Sequence, residues 1–314
     1  MSNTGAPITH RFSFHGKGSE LFGQFMVNWL LTVITLGIYT PWAQASLKRY
    51  FYRNTQFSGH SFEFHGTGGE MFVGFIKAVL VLAGVGVTAG LLAMATSLPV
   101  GIVCFYLMLA GLIPFAIVGS LQYTCSRSSW RNIHFSYHGT VGGMASTYFS
   151  GLFLTIVTLG IYYPWFVASL EREVTGNARF GKNVEFEYQG TGGELLKKIL
   201  VGYLLTVVTL GIYSFWMVAD LINYSYEQKY IHQHGRSAQF RSTLTGGGLL
   251  QLFLVDILLF VVTLGIATPW IVARNLSHTA DNLFIEGNLD LDAIEADDMA
   301  YATATGEAMS AVMN

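Results

Sequence analysis

Chemistry in this chain would have to come from a few polar residues set inside long apolar runs. When the chain is aligned on its expected helix starts, Asn28 and Asp256 fall at the same place, eight residues into a helix; Ala78, Gly151 and Gly202 stand there in the related segments. A carboxylate two turns inside an apolar helix is costly unless it is paired or meets water. It points to an ion or solute pathway or, more plainly, to a buried hydrogen bond between packed helices. Asp220 and Arg274 also align, each four residues after a tryptophan, and are expected to form a structural ion pair between adjacent segments.

The histidines recur too. His10, His60 and His134 precede aromatic–polar alternations, while His15, His65 and His138 end them. Stacked strands could gather several imidazoles into a metal or proton site, but no recognised ligand spacing is present, so no metal or other cofactor is called for. The stretch from Gly66 to Gly69 is glycine-rich but lacks the Lys-Ser/Thr of a phosphate loop. No nucleophile–base spacing or paired carboxylates stand out, so no enzymatic role is expected.

The elements that hold these residues follow from two motifs. Thr35-Leu-Gly37-Ile-Tyr-Thr-Pro41-Trp42 returns with Gly160, Pro164 and Trp165, then with Gly211 and Trp216, then with Gly265, Pro269 and Trp270. Glycine after an apolar run supplies the left-handed residue that ends a helix. Thr40-Pro41 and Thr268-Pro269 then read as an N-cap with proline opening a second helix. The motif therefore reads as helix, tight break, helix, with interfacial tyrosine and tryptophan at the break.

The second motif is a short strand followed by a helix start. Phe12, Phe62, Phe135, Phe186 and, in degenerate form, Phe240 open it. Alternating aromatic and polar residues give the strand. Thr67 with Glu70 and Thr191 with Glu194 form capping boxes, so both glutamates read as helix caps rather than catalytic acids.

Composition places these elements. The chain has 314 residues, 52% of them hydrophobic and only 11% charged, against about 25% charged in ordinary soluble domains. That balance indicates an integral membrane protein whose partners are lipids. A net charge of −2 gives no reason to expect nucleic acid. The two cysteines make no disulfide pattern, the first nine residues show no cleavable leader, and a homo-oligomer is compatible with all of this.

The expected fold is mainly α and polytopic. It has five related strand–helix–break–helix units, at about 10–59, 60–132, 133–183, 184–237 and 238–289, with short β-strands at the membrane surface. An acidic, weakly ordered tail is expected over 290–314. Six principal apolar runs are long enough to span, two of them in unit two, which lacks the break. Either successive strand layers alternate sides, or every unit is a hairpin and all strand layers share the cytoplasmic side, where every lysine and arginine could then lie.

Joined in one chain, the break motif and the Phe-x-Phe-x-Gly-Thr-Gly-Gly-Glu motif resemble the YjgN-like family of bacterial inner-membrane proteins, a domain of unknown function. The resemblance runs from about Phe12 to Ile285. It implies a multi-pass protein of the bacterial cytoplasmic membrane, with no catalytic residues to carry over. Unit two, Ser214-Phe215 in place of x-Pro, and Ala267 in place of tyrosine depart from the pattern. The expected role is non-catalytic, structural or lipid- and envelope-associated; the alternative is a transporter or channel for a small solute or ion.

Overall fold

The structure is a computed structural model and describes residues 8–294. Ten strands alternate with pairs of helices. In order the elements are β1 (Ile8–Phe14), α1 (Gly18–Ile34), α2 (Thr40–Asn54), β2 (Thr55–Phe57), β3 (His60–Phe64), α3 (Gly68–Ala95), α4 (Leu98–Ser126), β4 (Ser128–Trp130), β5 (Ile133–Tyr137) and α5 (Val141–Val157). They continue with α6 (Tyr163–Gly176), β6 (Ala178–Phe180), β7 (Val184–Tyr188), α7 (Gly192–Val208), α8 (Ser214–Glu227), β8 (Lys229–Gln233), β9 (Arg236–Ser242), α9 (Gly246–Val262), α10 (Thr268–Asp281) and β10 (Leu283–Gly287).

Each unit sends its first strand into a helical hairpin and returns a second strand to pair antiparallel with the first, as Phe12 does opposite Phe57. Tight turns then lead to the next unit. Ser58-Gly59, Arg131-Asn132 and His234-Gly235 each hold two successive residues at positive φ, the geometry that matches the twist of paired strands. Pairing runs all the way round, and β1 meets β10 to close a ten-stranded antiparallel barrel. Closure removes every free strand edge.

The expected mainly α, polytopic fold is therefore corrected. The strands are not a surface layer but a closed barrel that organises the chain. Among the described residues only α3 and α4, at 28 and 29 residues, are long and apolar enough to cross a membrane. The first helices of the other hairpins stop at 17 residues. At 1.5 Å per residue they reach about 25 Å, short of the roughly 30 Å hydrocarbon layer. Consecutive strands bond to one another, so the barrel lies at one end of all five hairpins, and the alternating-sides reading fails.

The helices form one continuous course above the barrel. Each packs on its neighbour in sequence, and α10 comes back to α1. The second helix of each hairpin also rests on the first strand of the next unit, α2 on β3 and α10 on β1.

Of the expected acidic tail, the described residues Asp290 to Ile294 lie as a strap across the barrel mouth. Glu295, Asp297, Asp298 and the rest of the tail lie outside the described residues.

Candidate functional site

At the hairpin tips the break motif takes one geometry four times. Leu36, Leu159, Leu210 and Leu264 have φ near +51°, and the glycine after each is also left-handed. These leucines are 90–94% exposed. Yet the backbone around them is satisfied from within. The Thr35 hydroxyl donates to Leu31 O at 2.7 Å and accepts the Tyr39 N–H at 3.0 Å. Thr158, Thr209 and Thr263 repeat both bonds. Gly37 N–H reaches back to Thr32 O at 2.8 Å.

The expected N-caps are corrected here. Tyr39 and Ala267 hold those positions, and the hydroxyls of Thr40 and Thr268 donate back to the carbonyls of Gly37 and Gly265. Serine stands at the same place in the third copy of the motif, and its hydroxyl does likewise. A loop that presents leucine and hides its own polar groups is suited to an apolar medium.

The tryptophan of the motif joins one unit to the next. A methyl group placed on Gly68 would lie 2.3 Å from Trp42 Cδ1; on Gly192, 2.4 Å from Trp165 Cγ; on Gly246, 2.3 Å from Trp216 Cγ; and on Gly18, 2.4 Å from Trp270 Cδ1. The indoles sit on bare Cα atoms, and the last contact closes the ring. Unit two resolves as a variant of the same design. Pro114-Phe115 precedes Tyr123 by the spacing that separates Pro41-Trp42 from Tyr50, and Val141 stands at the sequence position of the glycine. A smaller ring and a larger aliphatic residue thus stand in the sequence where the other units have tryptophan and glycine. The signal was available by counting from proline to tyrosine.

Thr67 and Glu70 form a reciprocal capping box. Glu70 also takes the Arg127 guanidinium at 3.1 Å. Thr191 accepts the Glu194 N–H, while Glu194 turns to Lys197 at 2.9 Å and Tyr224 Oη takes the Thr191 N–H. Tyr50 does the same for Lys17 N–H and donates to Glu20. Where glycine replaces the glutamate, at Gly143 and Gly248, the facing tyrosine is replaced by Glu173 and His278, whose side chains fill the space.

The expected pair of Asp220 with Arg274 does not form. Asp220 bonds Lys198 at 2.8 Å, and Arg274 bonds Asp256. Asn275 donates to the other Asp256 oxygen at 2.8 Å. Each bridge ties the two helices of a single hairpin, α7 to α8 and α9 to α10. Asn28 is buried.

The histidines do not converge. His15 and His138 each meet the serine two residues before them. His65 bonds Ser129 at 2.8 Å and lies 5.4 Å, ring to ring, from His134. Burial, with His65 beside it, lowers the His134 pKa. Apart from the His65–His134 pair the histidines are spread around the barrel, and among the described residues no three metal-ligating side chains come together.

The cavity inside the barrel is lined by apolar side chains. Phe12, Phe62, Phe135, Phe186 and Phe240 face one another in one ring, and Phe57, Trp130, Phe180, Ile231 and Ile285 make a second. They leave a cavity of about 240 Å3.

The strap covers the end away from the helices, laying Leu289, Leu291 and Ile294 on the bore. Buried Gln233 clamps the Asp290 backbone from both sides, donating to its carbonyl and accepting its N–H at 2.9 Å each. Arg236 holds the Asp290 carboxylate at 3.0 Å, and Arg131 holds Asp292 at 2.8 Å. In the sequence Asp290 and Asp292 read only as the start of an acidic tail, and Gln233, Arg236 and Arg131 did not stand out. The alternating Leu289, Leu291 and Ile294 within an acidic stretch were the available signal.

Residues 9–185, 183–235 and 218–312 match the family described as "Bacterial protein of unknown function (DUF898)". "Inner membrane protein YjgN" of Salmonella typhimurium is 26% identical, with 90% of this chain and 89% of the relative covered. "Inner membrane protein YjgN" of Escherichia coli strain K12 is 35% identical over 43% of this chain and 33% of its own length. No solved structure matches the chain. With the family match extending over most of the sequence, the chain belongs to the YjgN-like DUF898 family of bacterial inner-membrane proteins.

Proposed function

We propose that this is a non-catalytic, lipid-engaging protein of the bacterial inner membrane, built from five repeats. The barrel lies in the cytoplasm and the hairpins enter the bilayer from that side. The observation that carries the reading is the hairpin tip, where a fully exposed leucine sits on a loop that satisfies its own backbone. In water such leucines gain nothing from exposure, and burying each in hydrocarbon would contribute about 1.5–3 kcal/mol.

The hairpin of α3 and α4 crosses and returns, giving two spans. The four shorter hairpins dip in without crossing. Their tyrosines and tryptophans lie beside the tips, where they pack with neighbours and with acyl chains. All 17 lysines and arginines fall within residues 8–294, and most cluster at the barrel or the helix ends nearest it, which supports a cytoplasmic barrel. Asp256, the deepest carboxylate, is held by Arg274 and Asn275. That arrangement favours a structural role for it over ion passage.

The test uses an environment-sensitive fluorophore on single cysteines at Leu36, Leu159, Leu210 and Leu264, in vesicles whose lipid acyl chains carry bromine. Strong quenching at all four sites, with none at Ser58, is expected. Tip labels as accessible to a water-soluble quencher as the Ser58 label would refute the reading.

A further inference from the structure

We propose that the barrel bore is a binding site for the tail of a single-chain anionic amphiphile such as a fatty carboxylate, and that the strap over residues 288–294 is its lid. The bore cavity has no polar lining. An apolar void of this kind stays dry, and one of roughly 150 Å3 already accepts a benzene ring. This one, at about 240 Å3, has room for a run of methylenes and offers nothing to a hydrogen-bonding group. Any polar head must therefore sit outside it.

A place for that head adjoins the bore. Trp130, Leu289 and Leu291 line both the cavity and a second, polar space of about 480 Å3 at the strap end. His10, Arg131 and Arg236 border that space. Nε2 of His10 is out of reach of solvent and has no hydrogen-bond partner among the described residues.

Both arginines are held by strap carboxylates, Arg236 by Asp290 and Arg131 by Asp292. Over the same few residues the strap sets Leu289 and Leu291 against the bore. The strap thus presents an anionic and an apolar group side by side to one mouth, which is the chemistry of a fatty carboxylate. An entering amphiphile would take over the arginines and displace the leucines together. This proposal concerns the barrel alone and does not depend on how the hairpins meet the membrane.

The experiment uses purified full-length protein in nanodiscs and a free fatty acid brominated at its terminal carbon. Bromine quenches only at contact, and Trp130 lines the bore, so the signal is the quenching of wild type that Trp130→Phe lacks. Phenylalanine occupies the matching position in β2 and β6, as Phe57 and Phe180, so that variant should fold.

Saturable quenching of Trp130 is expected. It should fall at least tenfold in apparent affinity in Ile231→Phe, which fills the bore with a residue that sister strands already carry. Arg131→Gln with Arg236→Gln should weaken the brominated acid but leave a brominated alkane unchanged. Bromine on nanodisc phospholipid that quenches Trp130 equally would assign the tail to membrane lipid and overturn the free amphiphile. Absence of saturable Trp130 quenching, or equal quenching in Ile231→Phe, would overturn the site altogether.

Discussion

Trp270, in the last hairpin, lays its indole on the bare Cα of Gly18 at the start of the first, so the two ends of the chain lock the helical course closed. The same fit recurs at three other seams, and in the sequence Phe115 and Val141 stand at the equivalent positions of the fifth.

Gly18→Val should therefore cost about 1–3 kcal/mol by overpacking, seen as a lower unfolding temperature in detergent. Adding Trp270→Phe should recover part of that loss, because the smaller ring leaves room for the valine methyls beside residue 18. The coupling between the two changes should be of the order of 1 kcal/mol in a double-mutant cycle. Additive effects would show that indole and glycine do not specify each other.

Asp256→Asn should leave the Arg274 guanidinium without its counter-charge between two helices. A loss of about 1–3 kcal/mol is expected, the range for an unsatisfied, partly buried polar group. Exchanging the charges, with Asp256→Arg and Arg274→Asp, should restore much of it, since the neighbouring hairpin already places the cation on its first helix and the anion on its second, as Lys198 and Asp220. Thermal unfolding of both variants beside the wild type checks this.

Thr209→Val should remove the acceptor of the Tyr213 N–H at 2.9 Å and the bond to Leu205 O at 2.7 Å. In hydrocarbon no water replaces them, so the cost should be about 1–3 kcal/mol, and larger in bilayer than in a water-rich micelle. Hydrogen exchange at Tyr213 in the two media measures the difference. Equal exchange would place the loop in water.

The strap should open in acid. The Arg236 hydrogen bond holds the Asp290 carboxyl below the usual aspartate value of 3.8. A carboxyl depressed in this way contributes its full stabilisation above the ordinary value and loses it as pH falls through the lowered one. Proteolysis near residue 290 should stay slow at neutral pH, rise below about pH 4, and become flat with pH in Asp290→Asn. Gln233→Ala should release the strap at every pH, because its two backbone bonds do not titrate.

Much of the local structure was legible in the sequence. The leucine–glycine breaks, the threonine caps at Thr67 and Thr191 and the short strands each follow from one or two residues acting on their own backbone. What was not legible depended on closure. Nothing in the alternation around Phe12 or Phe240 says that β1 and β10 meet, so the strands read as a surface layer and the 17-residue helices read as spans. Charge pairing failed for a related reason: Asp220 and Arg274 occupy equivalent positions, and equivalent positions in neighbouring hairpins need not face each other. The strap was hidden by its acidity, which suggested a solvated tail, while Leu289, Leu291 and Ile294 had an apolar bore to cover.

Sidedness of the barrel turns tests the whole arrangement most directly. Single cysteines at Ser58, Asn132, Lys182 and His234, one per turn, would be placed in a variant lacking Cys104 and Cys125 and exposed to a membrane-impermeant thiol reagent in intact and in lysed cells. Four sites that react only after lysis are the expected result, with the barrel wholly cytoplasmic and every hairpin entering from its side. Any turn labelled in intact cells would contradict it.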